Sequence, residues 1–123
     1  MNVSFDFDGT LHRDGHPLWP SLALMRWHTQ CDHGVWIVTS RTERHEKSDW
    51  WGIHEPDRVV IDRFLSRYRL PVRGVIFTAH QPKADTLLRQ GIELHYDDDP
   101  EEVATALAAG VQSVLLNGVS FHV

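Results

Sequence analysis

Cysteine is almost absent from this sequence. Cys31 stands alone, which excludes an internal disulfide and fits a reducing, cytoplasmic compartment. Long hydrophobic runs are also missing. No apolar stretch approaches membrane-spanning length, and the first residues show neither a basic start nor an apolar signal core. No Cys-x-x-Cys or His-Glu-x-x-His string occurs, so the nine histidines lack zinc-site spacing. His12 and His16 are four apart, but Gly15 and Pro17 oppose a helical pair there. Positive charge is scarce: 12 Lys and Arg face 17 Asp and Glu, and a net charge of −5 argues against an extended nucleic-acid surface. The deficit is uneven, because residues 41–73 hold eight Lys/Arg against six Asp/Glu. That segment suits either an anion or a solvated helix with paired charges. Linkers, repeats and low-complexity stretches are lacking too. What remains is 123 residues, the size of a single domain with a real core.

Within that domain, apolar strands alternate with helical patterns. Val3 to Phe7 alternate briefly and stop at Gly9. Thr10 to Pro20, with Gly15, Pro17 and Pro20, read as a turn or small hairpin. Ser21 is the expected N-cap of a helix running to about Gln30, with Leu22, Met25 and Trp27 inward. Val35 to Val38 form a second strand running into Thr39-Ser40. A helix from about Pro56 to Tyr68 carries Val60, Ile61, Phe64 and Leu65 at helical spacing. Further strands are expected at Val75–Phe77, Ile92–Tyr96 and Val111–Leu116, with helices at Asp85–Arg89 and Glu101–Ala109. Such alternation predicts an α/β fold: a three-layer, Rossmann-like parallel sheet of about five strands with helices on both faces.

Ligands of such sheets bind at the carboxyl ends of the strands. Polar groups gather there: Asp6 and Asp8 after the first strand, Thr39 and Ser40 after the second, Asp97, Asp98 and Asp99 after the fourth. Two acids two residues apart on a strand face the same side, and like charges so close need a cation, a shared proton or a reaction. A calcium loop fits poorly. Thr10 follows Gly9 where Asp or Asn is needed, and the twelfth position counted from Asp6 is Pro17 rather than Glu.

The string Phe5-Asp6-Phe7-Asp8-Gly9-Thr10-Leu11 resembles the first motif of the haloacid dehalogenase (HAD) superfamily. Ile37-Val38-Thr39-Ser40, Pro82-Lys83-Ala84-Asp85 and His95-Tyr96-Asp97-Asp98-Asp99-Pro100 resemble its later motifs, in order. The resemblance implies a magnesium-dependent phosphomonoester hydrolase working through an aspartyl-phosphate. Asp6 would be the nucleophile and Asp8 the general acid and base. Thr39 and Ser40 would hold the phosphate, and Lys83 would offset its charge and that of the nucleophile. Mg2+ would be held by Asp6, the Asp8 backbone carbonyl, Asp97 and Asp98, an all-oxygen set. Lys83 is also the only Lys after Lys47.

The spacings leave no room for a folded cap domain, so an open site is expected, one able to admit a phosphorylated small molecule or a nucleic-acid end. The pattern around Thr39-Ser40-Arg41 and Asp97-Asp98-x-Pro is similar to polynucleotide kinase phosphatase domains and small deoxynucleotidase-like proteins. Two other features bear on substrate. His12 and His16 follow Asp8 closely enough to touch it, and Trp50-Trp51 would stack a base or cover the core edge. The competing reading is a catalytically silent binding or regulatory module that kept fold and metal.

Overall fold

The structure, a computed structural model, describes residues 1–42 and 56–116, so Trp50 and Trp51 lie outside the described residues. Five parallel strands form the main sheet: β1 (Asn2–Phe5), β4 (Gly34–Thr39), β5 (Gly74–Phe77), β6 (Leu94–Asp97) and β7 (Gln112–Leu115). Their order is β5-β4-β1-β6-β7. Between β1 and β4 lie a two-stranded hairpin, β2 (His12–Arg13) and β3 (His16–Pro17), and α1 (Trp19–Gln30). The other helices are α2 (Asp57–Tyr68), α3 (Ala84–Arg89) and α4 (Pro100–Ala108). Among the described residues no helix is long and apolar enough to cross a membrane.

Side-chain alternation along β1 builds the layers. Val3, Phe5 and Phe7 pack with Leu22 and Met25 of α1 and Ile61 and Phe64 of α2. On the other face Val38 meets Leu87 of α3, Ala106 of α4, Ile92 and Val111. The β1–β6 register places Ser4 beside His95 and Phe5 beside Tyr96, and the last two rings stack with centroids 4.7 Å apart.

Three local expectations differ. Helix α1 starts two residues before Ser21, with Leu18 at the cap position and Pro20 in its first turn, where a fixed φ and missing N–H are tolerated. Ser21 is therefore inside the helix and buried, and its hydroxyl has no partner among the described residues. Trp27 is 53% exposed, whereas His28 next to it is buried, so the inward stripe runs Leu22, Met25, His28. Finally, α2 ends at Tyr68 as expected, but it is Arg69, with left-handed backbone at φ 51°, rather than Pro71 that closes the helix.

Candidate active site

The chain builds β1, then β4 and β5 outward on one side, then crosses back to place β6 on the other side of β1. That reversal is the switch point where such sheets open a crevice. Asp6 follows β1, and Asp97 ends β6, so both carboxylates reach its floor. The Asp6 N–H donates to the Tyr96 carbonyl at 2.9 Å and ties the two strand ends together. A cavity of about 400 Å³ opens there, lined by Asp6, Asp8, Ser40, Lys83 and Asp97 to Asp99, with Glu102 of α4.

Lys83 immediately precedes α3 and is 3% exposed. Its ammonium donates to Asp6 Oδ1 at 2.9 Å and to Asp97 Oδ2 at 2.7 Å. Burial disfavours its charge, but the two carboxylates outweigh that and raise its pKa. Asp6, Asp97 and Asp98 each offer an oxygen within 4.8 Å of the others. Three carboxylates against one ammonium leave surplus negative charge. Burial above all, with Asp97 adding to it and Lys83 opposing, pushes the Asp6 pKa up to about 8. Burial would raise Asp97 as well, but hydrogen bonds from His95 and Lys83 bring it down to about 2. Burial raises Asp98. With its pKa raised, Asp6 can reduce the repulsion by taking up a proton. A hard divalent cation would reduce it too, and the all-oxygen donor set fits Mg2+.

Gly9 makes this closeness possible. Its φ is +77°, and a Cβ there would overlap the Asp98 carboxylate. Asp99, the next acid along, serves mainly as a cap: its Oδ1 accepts from the Glu101 N–H at 2.9 Å, with Pro100 opening α4.

The site holds two residues that the sequence reading missed. His95 is fully buried, donates from Nε2 to Asp97 Oδ2 at 2.8 Å, and accepts at Nδ1 from the Ser4 hydroxyl at 2.6 Å. Burial lowers its pKa against the pull of Asp97, so it is a neutral prop for that carboxylate. Period-two spacing was the available signal: Ser4 precedes Asp6 by two, and His95 precedes Asp97 by two.

Two expected site residues sit apart from the acidic cluster. The Asp8 carboxylate lines the cavity but pairs with Arg41 and His12. Burial acts upward on its pKa, and the bonds from Arg41 and His12 prevail, holding it well below the usual carboxylate range. Ser40 lines the cavity, whereas Thr39 does not. Thr39 is fully buried, and its hydroxyl accepts from the Arg41 N–H at 3.2 Å. His12 meets Asp8, while His16 lies on the exposed side of the hairpin.

No family model matches the sequence, and no curated protein matches it. Solved structures do. D,D-heptose 1.7-bisphosphate phosphatase from B. bronchiseptica, complexed with magnesium and phosphate, aligns with a TM-score of 0.67 at 18% identity over 95% of this chain and 82% of that one. A universal stress protein from Archaeoglobus fulgidus aligns with a TM-score of 0.53 at 13% identity, over 94% and 93% of the two chains. At such identities the likeness is one of architecture. The chain has the fold of the haloacid dehalogenase phosphatases.

Proposed function

We propose that this protein is a magnesium-dependent phosphomonoester hydrolase. The observation that carries the reading is the buried Lys83 bridging Asp6 and Asp97 beside Asp98, at the switch point of the sheet. A phosphoryl dianion is repelled by bare carboxylates. It needs one nucleophilic oxygen, neutralised surroundings and a proton for the departing oxygen. Asp6 attacks phosphorus, the P–O bond to the leaving group breaks, and the departing oxygen takes, through Asp8, the proton that a phosphate monoanion brings in. Water then attacks the acyl phosphate and gives a proton back to Asp8, releasing inorganic phosphate and restoring Asp6. Lys83 would balance charge throughout, and Ser40, which lines the cavity, would donate to a phosphoryl oxygen, with Thr39 bracing its turn. Mg2+ would be held by Asp6, Asp97, Asp98 and the Asp8 carbonyl, and when bound it neutralises the phosphoryl oxygens.

The open cavity supports a phosphorylated small molecule, such as a nucleotide, or the phosphorylated end of a nucleic acid. Asp99 and Glu102 on its wall favour leaving groups with little additional negative charge, hence the small molecule.

Hydrolysis of an aryl phosphate with and without Mg2+ tests the reading. Asp6→Asn is expected to remove about three orders of magnitude of kcat. Activity that survives this substitution, or that ignores chelation, refutes it. Phosphate release from a mononucleotide and from a 3′-phosphorylated oligonucleotide separates the two substrate classes.

A further inference from the structure

Asp8 is held more elaborately than a proton carrier needs to be. Arg41 donates from Nε to Oδ2 and from Nη2 to Oδ1, both at 2.7 Å, while His12 Nε2 donates to Oδ1 at 2.8 Å. The Gly15 N–H donates to His12 Nδ1 at 3.2 Å, which leaves the ring proton on Nε2, toward Asp8. A carboxylate has about four lone-pair positions. Among the described residues three are filled, and the fourth is on Oδ2.

Arg41 is itself fixed from several directions. Its Nη1 donates to Asp57 Oδ1 at 3.0 Å, in the first turn of α2. Its guanidinium carbon lies 5.3 Å from the centre of the Phe7 ring. Its carbonyl accepts from the Ala79 N–H at 3.2 Å, and that of Ser40 accepts from the His80 N–H at 2.7 Å. Both donors sit at positive φ, 53° and 64°, a strained conformation for residues other than glycine. Backbone strain at the turn that presents Arg41 has to be repaid by what the turn holds in place.

Resting on the phosphatase reading, we propose that Arg41 and Asp57 are positioning residues for Asp8. Asp57 anchors the guanidinium, and the guanidinium turns the Asp8 carboxylate so that one oxygen position, on Oδ2, is left for the leaving group. The contact joins α2 to the chemistry through one side chain. A lysine cannot substitute, because an ammonium does not span both oxygens and Asp57 together.

The experiment uses the full chain with Mg2+ and an aryl phosphate. Arg41→Ala is expected to lower kcat about a hundredfold while KM stays within about threefold. Arg41→Lys should not restore the rate. Free guanidinium should recover part of the Arg41→Ala loss where sodium chloride of equal strength does not. Asp57→Asn should lower kcat about fivefold alone and add nothing once Arg41 is gone, since it acts through that residue. Thermal melts confirm that the variants fold.

The proposal is overturned by an Arg41→Ala enzyme with kcat within about twofold of wild type, by a rise in KM alone, which would make Arg41 a substrate ligand, or by full rescue with lysine. An Asp57→Asn loss that persists in the Arg41→Ala background overturns the Asp57 role. Wild-type hydrolysis that Asp6→Asn abolishes but Arg41→Ala spares sinks this assignment alone. Hydrolysis untouched by Asp6→Asn removes the phosphatase reading and this role with it.

Discussion

Gly9 and Lys83 are the single residues on which the acidic cluster depends most directly. Gly9→Ala forces a side chain into left-handed backbone and into the Asp98 carboxylate. It should cost about 1–2 kcal/mol in urea denaturation and weaken Mg2+ binding in calorimetric titration. Lys83→Met leaves Asp6 and Asp97 buried without their ammonium. Melts in chelator should show a loss of about 3–5 kcal/mol, partly recovered on adding Mg2+. An undiminished melting point would mean the ammonium is not where it is described. At this scale the sequence exposed some contacts and hid others. Asp6, Asp8, Asp97 and Asp98 were readable because strand ends and period-two alternation are local patterns. The bond from Arg41 to Asp8 spans 33 positions and leaves no local trace, although Arg41 stood next to Thr39-Ser40 in plain view. His95 hid among nine histidines until its register with Ser4 was visible.

Helix α1 shows how an element can be right in existence and wrong in its face. Its end at Gln30 was legible, but Pro20 moved its start, and the inward position went to His28 rather than Trp27. The reason is polar. His28 shares hydrogen bonds with the Tyr96 hydroxyl and with His33 Nδ1, both at 2.8 Å, and so anchors α1 to β6 in a way an indole could not. Burial first, and His33 second, lower its pKa from 6.5. The unfolded chain then binds the proton that the folded one refuses. The His28 contribution to stability should be complete above about pH 6.5 and be lost as pH drops toward the folded value. Urea midpoints measured across that range should show the slope, and His28→Gln should flatten it. A slope unchanged in the variant assigns the effect elsewhere.

At the scale of the molecule, the five parallel strands and four helices among the described residues were foreseeable because each crossover carries its own helical period and turn residues. The strand order was not, since nothing local tells β6 to return beside β1. That return brings the distant acids together, so a ligand bridging them should stabilise the entire fold. Mg2+ at a hundredfold excess over its dissociation constant should add about 2.7 kcal/mol to unfolding, and Asp97→Asn should abolish the gain. The pairing of Phe5 with Tyr96 has one more consequence. A slip of one residue between those strands would turn Tyr96 away from Phe5 and Asp97 to the wrong side in the same movement. Misthreaded chains would then be blind to Mg2+, and its capture would be a faithful gauge of correctly assembled protein.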